Sequence, residues 1–116
     1  MKNYLIGIVV VLLSLSCTQK KEMHITEISQ KDINSGIILD VRTPEEYEEG
    51  HLENAVNINW YDPDFKEQAA QLDSKKTLFV YCKKGGRSTK AAAVLDSLGY
   101  KTTNLLGGYD AWKEAN

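Results

Sequence analysis

The chain has 116 residues, 42% of them hydrophobic and 26% charged, which suits one globular domain and excludes a disordered or fibrous protein. Its net charge of −2 excludes a general attraction for nucleic acid, so any bound anion must meet a local cluster of positive charge. A monomer is the default expectation, and nothing in the sequence predicts another oligomeric state.

The N-terminal segment has the pattern of a bacterial export signal. An apolar run over Leu5–Leu15 is too short for a comfortable membrane span, which needs about 20 residues. Small residues then precede Cys17, and this arrangement resembles the lipobox of bacterial lipoproteins. We expect residues 1–16 to be a signal peptide, Cys17 to be lipidated and residues 17–22 to be a tether. A plain signal peptide with an incidental cysteine is the alternative.

This anchor predicts a location at the bacterial cell envelope, with the domain held to a membrane by lipid and facing the periplasm or the exterior. The chain contains two cysteines, Cys17 and Cys82. Because Cys17 is the first residue of the tether and Cys82 lies at the end of a predicted strand, we expect no structural disulfide.

The remaining chain, residues 23–116, alternates predicted strands and helices. The predicted strands are 23–25, 37–41, 55–58, 77–81 and 101–105. The predicted helices are 26–33, a helix beginning after Thr43 and ending at Gly50, 65–72, about 88–98 and 109–114. Continuous aliphatic runs at 37–41 and 77–81 are typical of strands covered on both faces. The pattern predicts an α/β domain whose central, mostly parallel five-stranded sheet carries helices on both faces.

One helix start has an especially complete signature. Thr43 suits the N-cap position, Pro44 the first helical position, and Glu46 the residue that completes a capping box. The acidic segment 45–49 is otherwise expected to form a solvated face.

Cys82 directly follows the predicted strand 77–81, at the sheet edge where parallel α/β folds place their sites. The residues after it are Lys83, Lys84, Gly85, Gly86, Arg87 and Ser88. Both glycines can adopt positive φ, so the loop can curl around the sulfur and aim its amides inward. The amides, the helix N-terminus and the three cations would favour a thiolate and bind an anion. We therefore expect a reactive, partly exposed thiol.

Four motifs of the chain, in this order, carry a family resemblance. They are Leu39–Arg42 with Pro44–Tyr47, Gly50–Leu52 with Ala55–Ile58, the loop Cys82–Ser88, and Leu106–Tyr109 with Trp112. The loop is similar to C-x-x-G-x-R-S, and together the motifs resemble the rhodanese-like sulfurtransferases. Asn54 stands where that family usually has glycine, and asparagine tolerates the left-handed geometry of such a turn.

The resemblance implies a rhodanese-like three-layer fold and a two-step sulfur transfer that needs no metal and no cofactor. Cys82 would take the outer sulfur of a small anionic donor such as thiosulfate and pass it, as a persulfide, to cyanide or a thiol. The amides of residues 83–88 would hold the persulfide, and Arg87 with Lys83 or Lys84 would hold the donor.

Other polar and aromatic residues have structural explanations. Asp40 and Arg42 are expected to be a supporting pair that fixes neighbouring loops, and His51 a scaffold residue. Trp60, Tyr61 and Trp112 are expected to be packing residues or walls of the site, and the histidines and cysteines have no metal-ligand spacing.

Two other functions stay open. The first is a persulfide carrier or interaction module at the envelope that does not turn over. The second is a phosphatase or arsenate reductase, whose loop resembles C-x-x-x-x-x-R. Only four residues separate Cys82 from Arg87, which leaves a ring better suited to one sulfur than to a tetrahedral oxyanion.

Overall fold

The structure is a computed structural model, and it describes residues 20–116. The predicted signal peptide and the predicted lipidation site, Cys17, lie outside this range. Among the described residues, none of the helices is both long enough and apolar enough to cross a bilayer.

A five-stranded parallel sheet forms the centre of the domain, as the sequence predicts. Its strands are β1 (Glu22–His24), β2 (Ile37–Asp40), β3 (Val56–Asn57), β4 (Leu78–Tyr81) and β5 (Thr102–Leu106). The helices are α1 (Gln30–Ser35), α2 (Pro44–Glu49), α3 (Phe65–Ala69), α4 (Gly86–Ser97) and α5 (Gly108–Ala115). The spatial order of the strands is β1-β5-β4-β2-β3.

Side chains of the central strands alternate between two cores, because successive residues of a strand point to opposite faces. Leu39 and Val80 belong to a core that α3 and α4 cover, with Phe65 and Leu95 among its members. On the opposite face, a second core is covered by α1, α2 and α5. It includes Ile33, Ile38, Phe79 and Tyr81, with Tyr47, Tyr109 and Trp112 packed against it. The predicted cover of helices on both faces is therefore confirmed.

The N-terminal part of the domain differs from the prediction in two respects. The single helix expected over 26–33 is wrong, because His24 and Ser29 each form a capping box. Those caps start a short 3-10 helix at Ile25 and then α1 at Gln30. The predicted tether also ends early. Lys21 accepts a backbone hydrogen bond from the Asn104 amide at 2.8 Å, so the chain joins the sheet edge before residue 23.

Two local predictions, a helix N-cap and a turn, are confirmed. Thr43 caps α2, accepting a hydrogen bond from the Glu46 amide while the Glu46 carboxylate accepts one from the Thr43 amide. Asn54 adopts a φ of 64° and is the one non-glycine residue with positive φ among residues 20–116.

The strand order determines where the loop after β4, which begins with Cys82, lies in the fold. From β2 the chain adds β3 on one side and later β4 on the other, so the carboxyl ends of β2 and β4 form a crevice. Asp40 and Tyr81 are paired across these two strands. The residues that follow them, including Arg42 and Cys82, consequently line the same crevice.

Candidate active site

The loop after β4 folds around the sulfur of Cys82. The Gly85 amide donates a hydrogen bond to Sγ at 3.0 Å, and the Ser88 hydroxyl oxygen lies 3.5 Å from Sγ. Gly85 has a φ of 132°, a conformation that favours glycine and that turns the loop back toward the sulfur. Gly86 does not use this conformational freedom and instead begins α4.

These contacts change the acidity of the thiol. Burial raises the pKa of Cys82, but the Ser88 hydroxyl and the amides of Ser88, Gly85 and Lys84 outweigh it. Their hydrogen bonds favour the thiolate, so the net result is a pKa below the ordinary cysteine value. The loop thus stabilises the nucleophilic form of the side chain.

The exposure of the thiol differs from the prediction. The sequence predicts a partly exposed side chain, whereas Cys82 is 1% exposed. The loop of residues 83–88, here called the cradle, lies on one side of the sulfur, and core side chains pack on the other. Access is nevertheless open, because Cys82 lines a cavity of about 330 Å³. The other lining residues are Tyr61, Lys83, Lys84, Gly86, Arg87 and Lys90.

Two carboxylates that sequence analysis did not connect to the site neutralise part of its positive charge. The Arg87 guanidinium donates to both oxygens of Glu46, at 2.7 and 3.0 Å. Asp110 accepts hydrogen bonds from Lys83 and pairs with Lys84 at 3.0 Å. Hydrogen bonds from Arg87 lower the pKa of Glu46 to about 2. The cations predicted to hold a donor are therefore already paired.

Asp40 and Arg42 form a buried pair beside the cradle, 0% and 3% exposed. Arg42 donates to both oxygens of Asp40, at 2.7–3.2 Å, and to the Gly50 carbonyl at 2.7 Å. Tyr81 donates to Asp40 at 2.8 Å and accepts from the Leu52 amide at 3.1 Å. The pair thus joins β2 and β4 to the chain segment that follows α2.

The first turn of α5 binds the loop after β4 through backbone hydrogen bonds. Backbone amides of Tyr109 and Asp110 donate to the carbonyls of Cys82 and Lys83, at 2.8 and 3.1 Å. Gly108 has a φ of 65°, and a Cβ there would collide with the Lys83 carbonyl and the Lys84 nitrogen. Gly108 therefore allows the backbone of α5 to approach the backbone of the loop closely.

Aromatic and histidine residues take ordinary positions. Trp60 packs edge-on against Phe65 with ring centroids 5.0 Å apart, and His51 stacks on Tyr47 at 3.8 Å. Tyr61 is 65% exposed and forms a wall of the Cys82 cavity. No group of three or more potential metal ligands occurs within residues 20–116.

Residues missed by sequence analysis differ in how easily they could be found. Glu46 and Arg87 are 41 positions apart, and no local signal connects them. Asp110 likewise reaches the loop only through the fold. Lys90 had a signal, because it follows Arg87 by three positions on α4 and must share its face.

The fold and the site define an α/β domain with a cysteine thiolate held in a loop of backbone amides at the end of a central strand. Comparison with known proteins specifies the class further. A family model described as rhodanese-like domain matches residues 23–115, and the chain belongs to this family.

Relatives agree with this assignment. The chain is 38% identical over 85 residues to thiosulfate sulfurtransferase 16, chloroplastic, from Arabidopsis thaliana, covering 64% of this chain and 71% of that protein. It is 36% identical over 98 residues to the Bacillus subtilis protein named putative sulfurtransferase YtwF, covering 78% and 93%. Two other matched relatives are longer, and the chain spans 52% and 23% of their lengths.

A solved structure supports the fold. The rhodanese-related protein from Thermoplasma volcanium superimposes with a TM-score of 0.74 at 28% identity, covering 83% of this chain and 93% of that one.

Proposed function

We propose that the protein transfers sulfane sulfur from a small anionic donor such as thiosulfate to a thiophilic acceptor through a persulfide on Cys82. The observation that carries the proposal is the hydrogen-bonded sulfur of Cys82, with the Gly85 amide 3.0 Å away, at the floor of an open cavity. Relatives named as sulfurtransferases support the same chemistry.

In the first step the Cys82 thiolate attacks the outer sulfur of thiosulfate. A new S–S bond forms as the donor's S–S bond breaks, and sulfite leaves with the electron pair. In the second step cyanide or a thiolate attacks the terminal sulfur of the persulfide. That S–S bond breaks, and the Cys82 thiolate returns with its electron pair, so no net oxidant is needed. The amides around Sγ can donate hydrogen bonds that stabilise the negative charge both of the thiolate and of the persulfide.

The test is the intact mass of the full protein after incubation with thiosulfate. We expect a gain of one sulfur atom that cyanide removes as thiocyanate, and no gain in Cys82→Ser. A wild-type mass that does not change would contradict the proposal.

A turnover assay distinguishes an enzyme from a carrier. An enzyme releases many equivalents of thiocyanate when thiosulfate and cyanide are both in excess. A carrier that is loaded by a partner protein, and not by thiosulfate, releases at most the one equivalent it already holds. The paired state of Arg87 with Glu46 disfavours the third function, a phosphatase or arsenate reductase, because that guanidinium is occupied.

We also propose that the domain is anchored at the bacterial cell envelope through a lipidated Cys17. The export pattern of residues 1–16 supports this location. Incorporation of a labelled fatty acid into the wild type, and its loss in Cys17→Ser, is the measurement that tests the anchor.

A further inference from the structure

Four cations line the Cys82 cavity, and they differ in how their charge is balanced. These are Lys83, Lys84, Arg87 and Lys90. Both terminal nitrogens of the Arg87 guanidinium donate to Glu46, and only 18% of the Arg87 side chain is exposed. The first two lysines share the single carboxylate of Asp110.

Lys90 is different. Within residues 20–116 its ammonium group has neither an ion-pair partner nor a hydrogen-bond partner. It is exposed, it lies on the first turns of α4, and it faces the same cavity as the sulfur. A donor anion that approaches the cavity therefore meets this charge without displacing a carboxylate.

We infer that Lys90 is the specificity-determining cation of the site: it attracts and binds the anionic end of a small sulfane-sulfur donor, such as a thiosulfate or a thiosulfonate. Arg87 in turn is a positioning residue, since its ion pair with Glu46 connects α4 to the N-terminus of α2. This inference rests on the proposed function for the identity of the donor, but the charge preference it describes is a property of the cavity.

Two alkylating probes of equal size separate charge from access. Iodoacetate is an anion and iodoacetamide is neutral, and both alkylate Cys82 with loss of iodide. The measured quantity is the rate with iodoacetate divided by the rate with iodoacetamide. We expect this ratio to be higher for Cys82 of the wild type than for free cysteine. In Lys90→Gln this ratio should fall about fivefold to tenfold at low ionic strength, because one nearby charge is lost.

Lys101→Gln is the matched control, since Lys101 is an exposed lysine that precedes β5 and so lies at the amino end of the parallel strands, opposite the end that carries Cys82. It should leave the ratio unchanged. The thiosulfate concentration for half-maximal loading of Cys82 should rise at least as much in Lys90→Gln, because thiosulfate carries two negative charges, and should not change in Lys101→Gln. The difference should disappear in high salt.

Equal probe ratios in the wild type and Lys90→Gln would overturn the inference. This outcome is distinct from failure of the proposed function, in which wild-type Cys82 gains no sulfur from thiosulfate while the ratio still responds to Lys90.

Discussion

Arg42→Ala is expected to lower the free energy of unfolding by about 3–5 kcal/mol, because it leaves the Asp40 carboxylate buried without its cation. Asp40 is 0% exposed and would keep only two neutral donors, the Tyr81 hydroxyl and the backbone amide of residue 42. The Gly50 carbonyl would lose its donor as well. A domain of this size is stable by about 5–15 kcal/mol, so the loss is a large share of the total. Urea denaturation of both proteins measures it.

Lys21→Ala is the matched control for this substitution. It also removes one cation from an ion pair, but Lys21 and Asp96 are 70% and 37% exposed and lie 3.5 Å apart. Because water solvates both charges, the expected loss is about 0–1 kcal/mol. Equal effects of the two substitutions would show that burial of the Asp40–Arg42 pair has no special weight.

Gly108→Ala is expected to slow sulfur loading of Cys82 by about 10–100-fold, because a displacement of about 1 Å in a reacting group can have this effect. The new methyl group would collide with backbone atoms of Lys83 and Lys84, inside the cradle. We also expect a loss of about 2–5 kcal/mol in unfolding free energy, from overpacking and from the positive φ of 65°. The rate of persulfide formation, followed by mass, measures the first effect.

The control is Gly99→Ala. Gly99 also has positive φ, 96°, but a Cβ there meets no atom within 4 Å. The substitution should therefore cost about 1–2 kcal/mol of stability and leave the loading rate unchanged. If both alanine variants load sulfur at the wild-type rate, contact between α5 and the loop does not position the sulfur.

The architecture was largely predictable because its signals are local. Aliphatic runs at 37–41 and 77–81 indicated central strands, and Thr43 with Glu46 marked a helix start that the structure confirms. The failure came where two capping boxes lie close together. His24 caps the start of a 3-10 helix and Ser29 caps the start of α1, so the segment expected as one helix is divided into two.

The sequence predicts the loop that surrounds Cys82, but it does not predict which carboxylates balance the charge of that loop. Cys82, Gly85 and Ser88 are neighbours in sequence, and the loop between a strand and a helix brings them together. Glu46 and Asp110 come from distant parts of the chain, and only the packing of α2 and α5 beside the loop pairs them with its cations. The sequence therefore predicts the cations of the loop but not the carboxylates that neutralise them.

The pH dependence of Cys82 alkylation by iodoacetamide, followed on the peptide that contains Cys82, tests the central claim most directly. Since the thiolate is the reactive form, the alkylation rate should rise with pH and then level off. The apparent pKa of this profile should lie below the value of about 8.5 for free cysteine. Removing the hydroxyl in Ser88→Ala should move that pKa upward. A pKa for the wild type at or above that of free cysteine would contradict the account, because the amide cradle would then not stabilise the thiolate.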